Sequence, residues 1–148
     1  MRLTAAKPRD ARRLARVLSD WVAETPWMPA LHTSAEDRRY LRRLIEGADV
    51  VTLRTWRGPQ GFLARDGEMI HALYLAPAAR GHGQGRRLLD IAKVRAPRLT
   101  LWTFQANLGA RKFYAQQGFV EVEATDGAGN DENLPDVRLV WQRGRDYD

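Results

Sequence analysis

The fold is decided by the stretch Leu73-Tyr74-Leu75-Ala76-Pro77-Ala78-Ala79-Arg80-Gly81-His82-Gly83-Gln84-Gly85-Arg86-Arg87-Leu88. Its first residues are typical of a strand that Pro77 ends, and its last residues begin a helix. The glycine-rich turn between them, residues 80–85, therefore lies directly before a helix N-terminus. Such an N-terminus leaves about four backbone N–H groups without partners, and glycines let an anion approach the backbone closely. The stretch predicts a phosphate-binding turn, to which Arg86 adds positive charge.

Two common nucleotide-binding patterns do not fit this turn. A Walker loop that begins at Gly81 needs a glycine at position 86, followed by Lys and then Ser or Thr, and the dinucleotide fingerprint also needs a glycine there. The chain has Arg86 at that position. The acidic ribose ligand of the dinucleotide fold, about 20 residues further on, is also missing. A turn that serves only tight packing is the remaining alternative to a phosphate site.

A second motif follows the turn, and the two together resemble a known family. The turn contains Arg80-x-x-Gly83-x-Gly85, and the downstream motif is Asn107-x-x-Ala110-x-x-Phe113-Tyr114-x-x-x-Gly118-Phe119. Their order and spacing resemble the acetyl-CoA signatures of the GNAT superfamily of N-acetyltransferases, and the predicted order of elements is similar over the whole chain. The resemblance implies an acetyl-CoA-dependent enzyme that transfers an acetyl group to an amine by direct attack of the amine on the thioester.

The resemblance also implies which residues bind the cofactor. The backbone of Leu73 and Leu75 would pair with the pantetheine arm of coenzyme A. Asn107 would contact the same arm, although an asparagine at this position can also serve as a plain helix N-cap. Backbone N–H groups of the turn would bind the pyrophosphate, with Arg86 beside them; the residues of the turn are Arg80, Gly81, His82, Gly83, Gln84 and Gly85.

Two catalytic residues are expected from the same comparison. Tyr114 matches the tyrosine that protonates the departing thiolate in many members of the family, and the alternative is a buried aromatic residue beside Phe113. His71 is the candidate base for the acceptor amine, because histidine exchanges protons near neutral pH, but a lone histidine on a strand is often structural. Glu68 is the other candidate base, and a backbone N–H near Leu75 would stabilise the oxyanion. No metal site is expected.

The acceptor would lie between two segments that the resemblance places around the groove. Trp27 and Met28 lie between the first two predicted helices, and Asp126 and Glu132 lie in an acidic loop, residues 126–136. Because the loop is negative in a basic protein, we expect a cationic acceptor, either a small-molecule amine or a peptide amine. The alternative is a solvated acidic loop and a tryptophan that only fills the core.

The predicted elements follow the order β-αα-βββ-α-β-α-ββ, which indicates one α/β domain over residues 1–148, with a mixed sheet and helices on both faces. An apolar stripe from Ala11 to Val22 predicts the first helix, and Thr33 with Glu36 forms a capping-box signature for the second. Asp66-Gly67 predicts a hairpin turn, and Gly58-Pro59 predicts another. The predicted strands are residues 3–6, 50–56, 60–65, 68–76, 99–104, 119–125 and 137–141.

Composition limits the class of protein. The chain has 148 residues, of which 44% are apolar, and its net charge is +6. It has no cysteine, which excludes disulfides and thiol nucleophiles, and no apolar run near the roughly 20 residues that span a membrane. The basic residues 1–13 are not followed by an apolar segment, so we expect a cytoplasmic protein without a membrane partner.

Two alternative functions stay open at this stage. One is a non-catalytic module that binds acyl-CoA, and the other is a toxin-like acetyltransferase that acts on charged tRNA. The positive charge permits a nucleic-acid partner, but the chain lacks the aromatic and basic strand pattern of RNA-binding sheets, so no such partner is expected. A homodimer is compatible with the sequence.

Overall fold

A seven-stranded mixed sheet carries helices on both faces in the computed structural model, which describes residues 1–144. The strands are β1 (Arg2–Ala5), β2 (Asp49–Thr55), β3 (Gly58–Asp66), β4 (Met69–Leu75), β5 (Arg98–Phe104), β6 (Val120–Thr125) and β7 (Asp136–Gln142). The helices are α1 (Ala11–Glu24), α2 (Ser34–Gly47), α3 (Gln84–Arg95) and α4 (Leu108–Gln116), with short 3₁₀ turns at Pro8–Asp10 and Pro77–Ala79. The predicted order of elements is confirmed. No helix within residues 1–144 is both long and apolar enough to cross a bilayer.

The strands lie in the order β1-β2-β3-β4-β5-β7-β6. Strands β1 to β4 form an antiparallel meander, β7 lies antiparallel between β5 and β6, and β4 pairs with β5 in parallel. Among the described residues, the only register pair between β4 and β5 is Met69 with Thr100. The two strands therefore separate towards the carboxyl end of β4, and a gap opens in the middle of the sheet.

A β-bulge on β4 lies just before this gap. Ala64 of β3 is opposite Ala72, but the next residue, Arg65, is opposite Ile70, so that His71 is the extra residue on β4. A bulge bends and twists its strand locally. The bulge at His71 therefore contributes to the divergence of β4 from β5.

Each face of the sheet has its own hydrophobic core. Helices α1 and α2 pack on one face, where Leu14 and Leu41 meet Phe62 of β3. Helices α3 and α4 pack on the other face, where Leu88 and Leu89 meet the side chains of β3, β5 and β7. Successive residues of β4 alternate between the two cores: Leu73 and Leu75 contact the α3–α4 core, whereas Ala72 and Tyr74 belong to the α1–α2 core.

The capping box is confirmed, whereas one predicted turn is wrong. Thr33 accepts a hydrogen bond from the Glu36 backbone at 3.1 Å, and Glu36 accepts one from the Thr33 backbone at 3.0 Å. Gly58 and Pro59, predicted as a turn, instead belong to β3, and the chain reverses one step earlier. Pro59 is opposite Arg54 at a register shift. Proline has no N–H to donate to the ladder of a sheet, and it is tolerated at this position because the hydrogen-bond ladder is interrupted at a bulge.

Candidate active site

The gap between β4 and β5 forms a groove of about 780 Å³. Its walls come from β4, the glycine-rich turn with the start of α3, the end of β5, and α4. Leu73, Tyr74 and Leu75 line it from β4, and Asn107, Phe113 and Tyr114 line it from the α4 side. Two sequence segments that are about 30 residues apart thus face each other across one cavity.

The glycine-rich turn presents unpaired backbone amides at one end of this groove. Gly81 and Gly83 have φ angles of 78° and 75°, a left-handed conformation that favours glycine. A Cβ on Gly85 would lie 3.3 Å from Phe113 Cζ, so this third glycine allows α3 and α4 to approach closely. The backbone N–H groups of residues 81–86 have no hydrogen-bond acceptor among the described residues. Unpaired amides at a helix N-terminus, such as these before and at the start of α3, are suited to bind an anion.

Arg80 differs from the expectation for the turn. Its backbone N–H donates to Pro77 O at 3.2 Å, so that this amide is not free for an anion. Its guanidinium donates from Nε to Leu75 O at 3.0 Å and lies 2.5 Å from Glu24 Oε1. Arg80 therefore ties the end of α1 to the end of β4, and the free amides begin at Gly81.

The backbone of β4 has one edge towards the groove. The Ala76 N–H donates to Gln60 O of β3 at 2.7 Å. Because backbone groups alternate along a strand, those of Leu73 and Leu75 are directed away from β3 and towards the groove. The Leu75 carbonyl is taken by Arg80, which leaves the Leu73 backbone and the Leu75 N–H facing the gap.

His82 of the turn and Arg86 directly after it are both exposed. Arg86 lines the groove, and its side chain is 69% exposed, 3.8 Å from Asp90 Oδ2. His82 is exposed and is not among the residues that line the groove. Of the two side chains, Arg86 is the one placed to add charge beside the free amides.

Asn107 uses only one end of its side chain within the protein. Its Oδ1 accepts a hydrogen bond from the Ala110 N–H at 3.1 Å, which confirms the helix cap. Its Nδ2 has no acceptor within residues 1–144, and the residue lines the groove. The amide therefore has a free donor for a ligand while it caps α4.

Tyr114 is buried in α4 between two aromatic rings. Its ring centroid lies 5.2 Å from that of Phe113 and 5.4 Å from that of Phe119. Burial, and to a smaller extent the charge of Tyr74, raises the pKa of the Tyr114 hydroxyl well above its ordinary value. This hydroxyl forms no hydrogen bond with the part of the chain described, and the residue lines the groove. Tyr114 therefore contributes to the lining of the groove a hydroxyl that stays protonated well above neutral pH.

The two candidate bases occupy different positions. His71 is the bulged residue of β4, and its exposed side chain lines the groove. Glu68 lies before the start of β4, and its carboxylate is 3.3 Å from Arg98 Nη1. Glu68 is not among the residues that line the groove, so His71 is the better placed of the two.

A chain of aromatic rings lies at the α1–α2 side of the groove. Trp27 lies 6.0 Å from Trp21 and 5.7 Å from Phe104, and Trp21 lies 5.2 Å from Tyr74, measured between ring centroids. Met28 is half-buried beside Trp27 in sequence. Of these four aromatic residues, the sequence singles out only Trp27 as a site residue. Trp21 lies within the apolar stripe of α1, which indicates a core position, and Tyr74 lies on the opposite face of β4 from its neighbours Leu73 and Leu75.

The two predicted site residues of the acidic loop, Asp126 and Glu132, lie in different surroundings. Asp126 is exposed, and its Oδ1 accepts a hydrogen bond from the Ala128 N–H at 3.0 Å, which closes a turn of the loop. Glu132 is half-buried, and its Oε2 is buried without a hydrogen-bond partner in the described part of the chain. Asn130 holds the loop around Glu132, because its side chain bonds both Leu134 O and Leu134 N, at 2.8 Å and 3.2 Å.

Comparisons with known proteins show the family of the chain and agree with its fold. The family model of the acetyltransferase (GNAT) domain matches residues 35–121. The chain is 30% identical over 142 residues to the peptidyl-lysine N-acetyltransferase YiaC of Escherichia coli, over 90% of this chain and 94% of YiaC. The solution structure of apo YjaB from Escherichia coli superimposes with a TM-score of 0.77 at 24% identity, over 95% of this chain and 98% of YjaB. The structure of yncA from Salmonella typhimurium with its cofactor acetyl-CoA has a TM-score of 0.72 at 17% identity, over 96% and 93%.

Proposed function

Since the chain belongs to the GNAT family of acetyltransferases, we propose that it transfers the acetyl group of acetyl-CoA to a primary amine on a peptide or protein. One observation carries this proposal. The free amides of residues 81–86 lie at one end of the groove that also contains Asn107 and Tyr114. The relative YiaC is named for peptidyl-lysine acetylation, which supports a lysine amine as the acceptor. We further propose that residues 1–148 form a single domain.

The residues of the groove fit coenzyme A in its charge and in its hydrogen-bonding groups. The unpaired amides of residues 81–86 and the exposed Arg86 suit a pyrophosphate, which is a strong anion with many acceptor oxygens. The Leu73 backbone and the Asn107 Nδ2 suit the amide groups of a pantetheine arm. When bound there, acetyl-CoA supplies an activated thioester.

Three groups of this chain would then serve the transfer. His71 would take a proton from the acceptor ammonium, because only the neutral amine is nucleophilic. Tyr114 would give its proton to the departing sulfur, since burial keeps its hydroxyl neutral and its proton has no acceptor within residues 1–144. The Leu75 N–H, which is directed into the groove, would stabilise the negative charge that develops on the carbonyl oxygen.

The proposal is tested first by binding and then by turnover. Thermal unfolding is measured with acetyl-CoA, with ATP and with NADH, and the release of thiol is measured with a lysine-containing peptide. At 100 times its Kd, acetyl-CoA stabilises the fold by about 2.7 kcal/mol, whereas the other nucleotides do not. A shift with acetyl-CoA and no thiol release with any amine would indicate a module that binds acyl-CoA without turnover. The absence of any shift would overturn the proposed function.

A further inference from the structure

A shallow pocket of about 210 Å³ lies beside β1, at the edge of the sheet. Its lining is basic and consists of Arg2, Thr4, Ala5, Lys7, Arg9 and Arg54. Arg54 has an acidic partner, because its Nη2 lies 2.6 Å from Asp10 Oδ2. Arg2, Lys7 and Arg9 are exposed and form no ion pair with the part of the chain described. Three cations around one pocket without a counter-charge attract an anion.

Contacts between α1 and the turn from β2 to β3 extend this positive charge. Arg13 Nη2 donates to Arg57 O at 2.6 Å, and a Cβ on Gly58 would lie 3.4 Å from the same nitrogen. Acidic residues are almost absent from both segments. Residues 1–19 contain six cationic side chains and one acid, the buried Asp10, and residues 50–65 contain three arginines and no acid. A continuous positive surface of this kind suits a polyanion.

An aromatic side chain lies within the same turn. Trp56 is 89% exposed, and the guanidinium carbon of Arg57 lies over its ring, 5.0 Å from the centroid. The high exposure leaves the other face of the indole open. Trp56 follows Arg54 by two residues, which is roughly 7 Å along a strand. We call this region the basic surface; it consists of Arg2, Lys7, Arg9, Arg13, Trp56 and Arg57.

The basic surface is separate from the groove between β4 and β5. None of its residues lines that groove. Strands β2 and β3 lie between β1 and β4, so that the two sites are about 14 Å or more apart across the sheet. Residues 2–13 also lie outside residues 35–121, the segment that the family model matches. Binding of acetyl-CoA therefore gives no reason for this surface.

We propose that the basic surface binds single-stranded nucleic acid, with phosphates against its cations and one base stacked on the open face of Trp56. Proteins that bind single strands combine a positive surface with exposed aromatic rings in this way. A membrane fits less well, because surface anchoring uses a row of apolar side chains and Trp56 is the one large apolar residue in residues 54–58. The inference is independent of the proposed function.

This partner differs from the expectation drawn from the sequence. That expectation rested on the absence of an aromatic and basic pattern within one strand. In the folded chain the pattern is assembled from three segments: β1, the start of α1 with the turn before it, and the turn between β2 and β3.

The first experiment measures binding of a labelled single-stranded RNA of about 12 nucleotides by fluorescence anisotropy at several salt concentrations. The variant with Arg2→Gln, Lys7→Gln and Arg9→Gln is compared with the variant with Arg39→Gln, Arg42→Gln and Arg43→Gln, which removes three charges from exposed positions of α2. Arg54 stays unchanged, because it pairs with the buried Asp10. The pocket variant binds about tenfold more weakly or worse, and its slope of log K against log salt is shallower by about 2, since each phosphate contact of a single strand contributes about 0.7. The α2 variant binds within about threefold of the unsubstituted chain, and equal losses in both variants would overturn the inference.

Trp56→Leu tests the stacked base without a change of charge. It weakens binding of the single strand about fivefold or more and leaves binding of a duplex of the same sequence unchanged, because paired bases cannot reach the indole. Saturating acetyl-CoA does not displace the RNA, and all variants keep the thermal shift with acetyl-CoA, which shows that they are folded. Displacement by acetyl-CoA, no RNA binding by the unsubstituted chain, or tighter binding to phosphatidylserine vesicles than to RNA would overturn the inference. None of these outcomes affects the thermal shift and thiol release that test the proposed function.

Discussion

Met69 of β4 and Thr100 of β5 form the only register pair between these two strands within residues 1–144. The Thr100 N–H donates to Glu68 O at 2.8 Å, so that the strands are held together at this closed end. Beyond the pair, the bulge at His71 turns β4 aside, and the groove begins. The candidate active site is therefore a gap between two strands of the sheet, where backbone groups that a sheet normally pairs are free to bind a ligand.

Asn107 can be tested for its two roles separately. Asn107→Asp keeps an oxygen that caps α4 but loses the Nδ2 donor, whereas Asn107→Ala loses both. We expect Asn107→Ala to lower the free energy of unfolding by about 1 kcal/mol and Asn107→Asp to change it little. Both variants bind acetyl-CoA more weakly if the donor contacts the cofactor. Urea unfolding measures the change in stability, and calorimetry measures the change in cofactor binding. If Asn107→Asp bound the cofactor normally, the role of Asn107 would be to cap α4 and not to contact the cofactor.

Tyr114→Phe tests the proton donor. The phenyl ring keeps the packing against Phe113 and Phe119, so we expect an unchanged thermal midpoint and unchanged acetyl-CoA binding. The kcat falls by about 10²-fold, because the thiolate leaves without its proton. Since burial raises the pKa of Tyr114, the kcat of the unsubstituted chain shows no loss from this group between pH 8 and pH 10. If the kcat of Tyr114→Phe stayed within threefold of that of the unsubstituted chain, water and not Tyr114 would protonate the departing thiolate.

His71→Gln tests the candidate base on β4. Glutamine is similar in size and can hydrogen bond, but it cannot take up a proton near neutral pH. We expect kcat/KM for the lysine peptide to fall about 10²-fold at pH 7 and to recover partly at higher pH, where more of the free amine is neutral. A pH–rate profile of the variant measures this. An unchanged profile would place proton removal with water or with another group.

Gly83→Ala tests the conformation of the anion-binding turn. Gly83 has a φ of 75°, and an alanine there costs about 1–2 kcal/mol or shifts the turn. We therefore expect lower stability and weaker binding of acetyl-CoA. Gly47→Ala is the control, because Gly47 is the last residue of α2 and a Cβ there meets nothing within 4 Å. The stability of Gly47→Ala should equal or exceed that of the unsubstituted chain. If Gly83→Ala bound acetyl-CoA as tightly as Gly47→Ala, the turn would not be part of the cofactor site.

Asp10 makes the stability of the fold depend on pH. It is 4% exposed, Arg54 Nη2 lies 2.6 Å from its Oδ2, and the Lys7 N–H donates to the same oxygen at 2.9 Å. Burial raises the pKa of Asp10, but the hydrogen bonds from Arg54 and from the Lys7 backbone, together with the positive charges of Arg54 and Arg9, outweigh it, and the net pKa is lowered. The charged form is favoured in the folded state, so this stabilisation is present above about pH 4 and is lost as the pH falls through the folded pKa.

Asp10→Asn should therefore cost about 1.5–3 kcal/mol at pH 7, and the difference from the unsubstituted chain should narrow towards pH 3. Urea unfolding at both pH values measures it. Glu123→Gln is the control, because Glu123 pairs with Arg138 at 3.0 Å while its side chain is 48% exposed. Such exposed pairs contribute about 1 kcal/mol or less. A difference that does not narrow at low pH would assign the effect of Asp10→Asn to packing.

The parts of the fold that the sequence predicted well are set by neighbours in the chain. Thr33 and Asn107 cap their helices as expected, because a cap needs only a side chain and an N–H three residues later. The predicted turn at Gly58-Pro59 was wrong, because a register shift against Arg54 absorbs the proline, and a register shift depends on another strand.

Local sequence patterns were sufficient to predict the order of elements and the glycine-rich turn before α3, because left-handed glycines and helix starts depend on backbone conformation within a few residues. Which side chains line the groove depends on the tertiary structure. In the folded chain Arg80 bonds Glu24 and Leu75 O, and one oxygen of the Glu132 carboxylate is buried, whereas Asp126 lies in an exposed turn. These outcomes depend on the path of loops and on strand register between segments far apart in the chain, which no local pattern encodes.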